Sequence, residues 1–456
     1  MKAIKGLSGK WLIALFGAAA LLLAQPASHV GAATVSAASA VHAQEIGGAE
    51  YGLFLQEKYG VALPEKPAKG DFIEAAAAVL GYEGADGSAE FSDLKAGDKW
   101  YGPASALFEL GVLKGPSVGG DQPLTNAVAV SIALRAADLK ELAYTYPADK
   151  VERSLSPLGI TGKGLGTHVA QELAAAVDTG LLPASEYAGF NPKGAVDREL
   201  ANVLLGKVLE SKGLYKQYIG YVYDADIVTK LHAAYATSDI IDAPKLQGLV
   251  NEALEQELIT GYNLKDTRFD SRFIDSLKLT YGHSNLKHAV QLIGLLRSEG
   301  LNAKVQFEPK TSAFLHLKEW GDPGPNVVQI KNGNFIAYAK EYDLVFEFDN
   351  AKDKAKFQDV ILAYAKKNEA DQTGLIAGSW WQPLYFSPTA IDDYEIITNN
   401  LITDPDSPYT VHPFSLNENS AKVIEGLKAI DPDAVITPYQ FWVDVPFFNY
   451  LHGEAL

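Results

Sequence analysis

The chain has 456 residues, of which 47% are hydrophobic and 21% charged, a composition typical of globular proteins rather than disordered or fibrous ones. Its length exceeds that of one ordinary domain, so two or three are expected. A formal charge of −17 disfavours binding to nucleic acid or anionic lipid, and the absence of cysteine excludes disulfides, thiolate metal sites and a thiol nucleophile.

The N-terminus predicts export. Lysines at positions 2, 5 and 10 precede the apolar segment Trp11 to Leu23, and small residues then lead to Ala43. This order is that of a secretory signal peptide, which we place at residues 1–43, with cleavage nearer Gly31 as the alternative. The apolar segment is too short to span a bilayer, and no membrane span is expected after the signal is removed. Export without cysteine is typical of a Gram-positive envelope.

A repeated helical unit follows at residues 44–212. Its second copy starts at Phe91-Ser92-Asp93-Leu94, continues through Trp100 and a helix to the turn Gly111-Val112-Leu113-Lys114-Gly115, and ends with a helix that begins near Asn126. The order is therefore helix, glycine-bounded turn, loop and helix.

The other two copies share this plan. In the third copy a helix at 169–177 leads to the turn Gly180-Leu181-Leu182-Pro183, and Asp197-Arg198 opens the second helix. Only half a unit is clear in the first copy, where Pro67 to Phe72 precedes a helix at 73–80. Because each unit is too small to bury its own apolar face, the three are expected to stack into one all-α body.

The repeat resembles the S-layer homology module over about residues 50–212. That family's pattern runs from Phe-Ser-Asp through an aromatic pair and a glycine-bounded turn to a Thr-Arg-Ala-Glu helix start. The resemblance implies a pseudo-threefold helical bundle that binds pyruvylated secondary cell-wall polysaccharide. It places the binding arginine of the family at Lys69, Asn126 and Arg198, its acid at Asp71, and its opening aspartate and aromatic residue at Asp93 and Trp100.

Two of the three helix starts depart from the family pattern. Lys69 keeps the charge of an arginine but not its planar fork, and Asn126 has no charge. The alternative interpretation of Lys69 and Arg198 is a solvated charge at a helix start, and that of Trp100 is an anchor packed between helices. The predicted polysaccharide-binding residues are Lys69, Asp71, Asp93, Trp100 and Arg198.

Residues 213–456 predict an α+β domain. Apolar spacing predicts helices at Pro244–Leu258, Asn285–Ser298 and 352–367. The pair Asn332-Gly333 predicts a type I′ hairpin, and hence an antiparallel sheet. The predicted strands are Ala303–Phe307, Ala313–Leu317, Val327–Ile330, Phe335–Ala339 and Leu344–Phe348.

A helix followed by antiparallel strands weakly resembles, over about residues 213–370, the transglutaminase-like core. The segment Gly282 to Lys304 carries the resemblance, and the family's catalytic cysteine falls on Asn285 or, with a slip of one residue, on Ser284. Its histidine could fall on His316, whereas its aspartate has no secure match and Asp349 is one candidate. Acyl transfer requires a nucleophile, a base and an orienting carboxylate within hydrogen-bond reach of one another. Asparagine cannot act as a nucleophile, and Ser284 matches the cysteine only with a slip of one residue. We therefore favour an inactive relative of this family that is used for binding.

No metal site or cofactor is predicted. His283 and His288 are five residues apart, off the spacing that places two imidazoles on one helical face. The C-terminal tail is rich in aromatic residues, which either stack on sugars or fill a core. These residues are Trp380, Trp381, Tyr385, Phe386, Tyr409, Phe441, Trp442, Phe447 and Tyr450.

Together these patterns predict a multidomain α+β protein, with a pseudo-threefold all-α bundle at 44–212 followed by an antiparallel α+β domain at 213–456. The predicted function is that of a secreted cell-surface protein, anchored without covalent bonds to wall polysaccharide and displaying a C-terminal domain that binds an extracellular glycan or protein. The alternative is a secreted hydrolase or acyltransferase that uses Ser284, His316 and Asp349.

Overall fold

A helical body and a large antiparallel sheet make up the part of the chain that the structure, a computed structural model, describes. The described residues are 46–82, 89–318, 321–364 and 385–454. The predicted signal peptide and the rings of Trp380 and Trp381 lie outside them.

Eight α-helices form the helical body in the described residues up to 211. The helices predicted from the repeat are all present, as α2, α3, α4, α7 and α8. The bounds are α1 Gly48–Tyr59, α2 Lys69–Val79, α3 Tyr101–Glu109, α4 Asn126–Ala136, α5 Lys140–Tyr144, α6 Ala148–Leu155, α7 Thr167–Asp178 and α8 Arg198–Ser211.

Helices α2, α4 and α8 pack against one another in a cyclic arrangement. Each is preceded by a residue with extended backbone, and its first amide donates a hydrogen bond to the loop that precedes the next of the three helices. The bonds join Lys69 N to Gln122 O (3.0 Å), Asn126 N to Gly194 O (2.9 Å) and Arg198 N to Glu65 O (3.0 Å). Buried alanines, such as Ala76 and Ala133, allow these helices to approach closely.

The sheet that follows closes on itself as a barrel. Its closed ring runs β4-β2-β9-β8-β10-β7-β3-β6, and β6 pairs with β4 again, with every pairing antiparallel. The short strands β1 and β5 are added to β4 and β6. The bounds are β1 Gly220–Tyr221, β2 Gly261–Asp266, β3 Lys278–His283, β4 Ala303–Leu315, β5 Val327–Gln329, β6 Phe335–Phe348, β7 Tyr385–Ser387, β8 Glu395–Thr403, β9 Tyr409–Ser415 and β10 Val435–Val443.

Helices pack on the outside of this barrel. One apolar cluster joins α9, α11 and α12 to strands β3, β4 and β6, and another joins α10 and α13 to β2 and β9. No helix among the described residues is both long and apolar enough to cross a bilayer. The remaining bounds are α9 Ile227–Thr237, α10 Pro244–Glu255, α11 Leu286–Ser298, α12 Ala351–Tyr364, α13 Ser420–Ile430 and α14 Val445–Leu451.

The predicted antiparallel sheet is confirmed, but its strands are longer than predicted. Two predicted strands form the single strand β4, and two others form β6. The predicted breaks fall on polar residues such as Lys310 and Glu341, which are buried inside the barrel rather than exposed in turns. The predicted hairpin is present between β5 and β6. Its type I′ assignment is wrong, because Gly333 has φ +92° but Asn332 has no positive φ.

A cluster of four alternating charges joins the helical body to the barrel. Glu50 of α1 and Glu347 of β6 each lie within 3.1 Å of the ammonium groups of Lys216 and Lys304. Lys216 and Glu347 are buried, so these pairs are shielded from salt. The helical body ends with α8 at Ser211 and β1 begins at Gly220, and the described residues from 46 onwards form one compact unit.

Candidate functional site

Four of the five predicted polysaccharide-binding residues lie around the start of α2. Lys69 and Asp71 belong to its first turn, Trp100 contacts its second residue, and Asp93 acts electrostatically on Lys69. We call this group the α2 site. Arg198 lies instead at the start of α8.

Asp93 organises the loop beside Lys69. Its carboxylate accepts hydrogen bonds from Ser117 Oγ (2.9 Å), Val118 N (2.9 Å) and Gly119 N (2.6 Å). The two backbone amides and the hydroxyl hold the pKa of Asp93 below its ordinary value. Its role is therefore to fix the loop conformation while keeping a negative charge near Lys69.

Trp100 packs between two glycines. A Cβ atom built on Gly70 would lie 2.4 Å from the indole ring, and one on Gly120 would lie 2.3 Å from it. The ring is half-buried, and its Nε1 has no hydrogen-bond partner among the described residues. Lys99 Nζ lies 5.1 Å from the ring centroid. Trp100 thus anchors α2 to the neighbouring loop and retains some exposed ring surface.

Lys69 is a half-buried cation that forms no ion pair with any described residue. Burial lowers the pKa of Lys69, and the negative charge of Asp93 partly opposes this shift. A desolvated ammonium group at a helix N-terminus is suited to an anionic oxygen ligand.

Asp71 caps α2 and also contacts the exposed ammonium group of Lys99. Its carboxylate accepts a hydrogen bond from Ala68 N at 3.1 Å and lies 3.3 Å from Lys99 Nζ. Asp71, Lys99 and Glu74 line a groove of about 480 Å³ together with the loop that follows α1. Asp71 therefore has a clear structural role in addition to its position at the α2 site.

The other two helix starts are occupied by contacts within the chain. Asn126 Nδ2 donates to Asn191 O at 2.9 Å. Arg198 pairs with Glu65 at 2.5 Å, and both side chains are largely exposed. Of the three starts, only that of α2 presents a cation, Lys69, that forms no direct ion pair within the described part of the chain, although Asp93 acts on it electrostatically.

The structure does not bring Ser284, His316 and Asp349 together. His316 follows β4, and its backbone amide bonds to Phe335 O at the start of β6. Asp349 follows the opposite end of β6, which pairs with the start of β4. His316 and Asp349 are therefore separated by the whole length of β4, which has 13 residues and spans roughly 40 Å. Ser284 follows β3, whose last residue pairs with Tyr342 midway along β6.

Asn285, the other position matched to the cysteine, caps α11. Its side chain accepts a hydrogen bond from Lys287 N at 2.9 Å. The rings of His283 and His288, predicted not to form a metal site, lie 4.1 Å apart. The ring Nδ1 of His283 accepts from two backbone amides, those of Ser284 and Asn285. Among the described residues no group of three or more metal-ligating side chains exists.

The interior of the barrel is charged, which the sequence interpretation missed. Lys310 Nζ lies 2.5 Å from Asp343, which also pairs with Lys265, and Lys265 lies 3.6 Å from Glu308. Ser312 donates to Glu341 and to Asn263. The signal was a polar residue at every second position from 304 to 312; of the residues between them, Val305, Phe307 and Ala313 pack in the apolar clusters of the outer helices, and only Thr311 interrupts the alternation.

A cavity of about 670 Å³ lies where the helical body meets one end of the barrel. We call it the interface cavity. Phe54, Lys58 and Tyr59 line it from α1. The loop between β2 and β3 contributes three charged residues, and Lys278 and three aromatic residues come from the barrel strands. These barrel residues are Asp270, Arg272, Asp275, Lys278, Phe386, Tyr439 and Phe441.

Among the aromatic residues of the tail that the structure describes, Tyr385, Phe441, Phe447 and Tyr450 are buried in the protein core. Phe441, Phe447 and Tyr450 are buried in one cluster, whereas Tyr439 is 44% exposed and lines the interface cavity. No protein-family model matches this chain, and a search of curated proteins found no match.

Proposed function

We propose that this protein is an exported cell-surface protein whose helical body binds acidic cell-wall polysaccharide at the α2 site. The ammonium of Lys69, which is half-buried and forms no direct ion pair with the residues that the structure describes, supports this proposal most directly. The cyclic packing of α2, α4 and α8 is what the resemblance to the S-layer homology module leads one to expect, and it supports a pseudo-threefold arrangement of three such units.

The chemistry of the α2 site suits a sugar that carries a carboxylate, as a pyruvylated residue does. The carboxylate accepts hydrogen bonds from Lys69, and the sugar ring contacts the exposed part of Trp100. Asp93 holds the surrounding loop in place. Since Asn126 and Arg198 are engaged within the chain, we propose one working site rather than three, with the barrel displayed towards the medium.

The test is co-sedimentation of the mature full-length chain with isolated cell walls. We expect Lys69→Ala to weaken binding by at least about tenfold, since a charge-assisted hydrogen bond is lost. The matched control is Lys66→Ala, which removes an exposed cation of the same loop. Walls treated with mild acid to remove pyruvate ketals should lose binding to the wild type. Equal binding by the wild type and Lys69→Ala would contradict the proposal.

A further inference from the structure

The interface cavity is a second candidate binding site, and the proposal of wall binding at the α2 site does not involve it. Its volume of about 670 Å³ lies within the range of pockets that bury small ligands. The helical body and the barrel both contribute to its lining, and the four-charge cluster of Glu50, Lys216, Lys304 and Glu347 holds these two parts together. The cavity is therefore present before any ligand binds.

One wall of the cavity carries three cations, Lys58, Arg272 and Lys278, and two carboxylates, Asp270 and Asp275. Lys58 and Asp275 pair at 2.8 Å, and Asp270 accepts a hydrogen bond from Arg272 N at 2.9 Å. Lys278 forms no direct hydrogen bond through its ammonium with any described residue. The wall thus offers both donors and acceptors of hydrogen bonds.

The surroundings of Lys278 disfavour an anionic ligand. Burial alone would lower the pKa of Lys278, but the carboxylates of Glu308 and Asp270 raise it above its ordinary value. Lys278 therefore already interacts with two carboxylates, which Lys265 opposes only in part, so a further carboxylate would gain little beside it. A neutral oxygen, such as a hydroxyl group, can accept a hydrogen bond from its ammonium without the repulsion that a carboxylate would meet from Asp270 and Glu308.

The other wall is aromatic. The ring of Phe441 lies 5.6 Å from that of Phe386 and 6.1 Å from that of Tyr439. Tyr59 of α1 also lines the cavity. Apolar C–H faces of a sugar pack well against such rings. The hydroxyl of Tyr439 accepts a hydrogen bond from Asn399 Nδ2 at 2.8 Å, which fixes its position.

We propose that the interface cavity binds a neutral disaccharide or trisaccharide, with sugar faces against Tyr439 and hydroxyl groups bonded to Lys278 and Asp270. This site is distinct from the α2 site, since Lys69 does not line the cavity. The two proposals can therefore be tested independently. Co-sedimentation with cell walls tests binding at the α2 site, and binding of a free oligosaccharide tests the interface cavity.

Isothermal titration calorimetry of the mature full-length chain provides the test. The neutral probes are maltotriose, cellotriose and triacetylchitotriose, and trigalacturonic acid is the acidic probe. At least one neutral probe should saturate the protein. Asp270→Asn, which removes the charge but keeps the shape, should weaken that binding by about tenfold or more. Asp406→Asn, in an exposed turn far along the chain, is the control and should bind as the wild type does.

Tyr439→Ala is the second variant, chosen because Tyr439 is partly exposed and its removal does not empty the core. It should also weaken binding by about tenfold, since stacking on an aromatic ring is lost. Melting temperatures within a few degrees of the wild type show that both variants fold. Tighter binding of trigalacturonic acid than of every neutral probe would overturn the proposal, as would failure of all neutral probes to saturate at millimolar concentrations.

Discussion

Asp343 is the centre of the charged network inside the barrel, and its removal gives the sharpest test of that network. The side chain is fully buried, lies 2.5 Å from Lys310 Nζ and also pairs with Lys265. In Asp343→Leu, Lys265 keeps Glu308 as a partner, whereas Lys310 loses its carboxylate. An uncompensated buried charge costs about 3–5 kcal/mol, which is a large part of the about 5–15 kcal/mol that stabilises a typical domain.

The matched control removes both charges. In Asp343→Leu/Lys310→Met no buried ammonium is left without a carboxylate, and apolar replacement of a buried pair is often neutral or stabilising. We expect the double variant to be more stable than Asp343→Leu by at least about 2 kcal/mol. Urea denaturation followed by tryptophan fluorescence and circular dichroism measures both free energies of unfolding.

The pH dependence follows from the same contacts. Burial opposes ionisation of Asp343, but Lys265 and Lys310 hold its pKa well below the ordinary value of 3.8. A carboxyl group with a lowered pKa adds stability above pH 3.8, and this stability is lost as the pH falls through the folded-state pKa. The difference between the wild type and Asp343→Leu should stay constant from pH 7 to about 4 and shrink below that. A loss under about 1 kcal/mol at pH 7, or a double variant no more stable than the single one, would refute this reasoning.

Two further predictions concern stability. Burial lowers the pKa of Lys354 from 10.5 to about 8, so the folded state binds this proton less tightly, and Lys354 alone should add up to roughly 3 kcal/mol to the free energy of unfolding between pH 8 and 10.5. The free energy of unfolding of the wild type should therefore rise by this amount relative to that of Lys354→Met when urea denaturation is compared at the two pH values, and an unchanged difference would contradict the prediction. Gly70→Ala should cost roughly 1–3 kcal/mol, because the new methyl group would overlap Trp100. Gly248→Ala, a helical glycine with open space around it, should be neutral or stabilising in the same melts.

The helices were the most predictable part of this fold. Apolar residues of α11 recur at helical spacing and Asn285 caps its start, so its predicted limits agree with the structure to within one residue. The starts of α2, α4 and α8 were marked by turn residues and repeated along the chain. Their mutual packing depends on backbone hydrogen bonds between distant loops, and no local pattern contains that information.

The barrel was harder to predict, for a physical reason. Polar residues such as Lys310 and Ser312 normally indicate exposure, but here each is satisfied by a partner on a neighbouring strand. The resulting alternation was interpreted as two short strands and a break. Strands β8, β9 and β10 in the aromatic tail were not predicted. The residues proposed to form the α2 site could be selected from the sequence because they belong to a repeat, whereas the interface cavity combines segments that are over 200 residues apart.

The four-charge cluster between α1 and the barrel has a consequence for how this protein can be dissected. Cutting the chain after residue 212 would deprive Lys216 and Lys304 of Glu50, and would remove one side of the interface cavity at the same time. An isolated barrel would therefore expose charged side chains to solvent and would lack one wall of the interface cavity. The helical body therefore has a structural role that is separate from the proposed attachment to the envelope: it closes one side of the interface cavity at the end of the barrel.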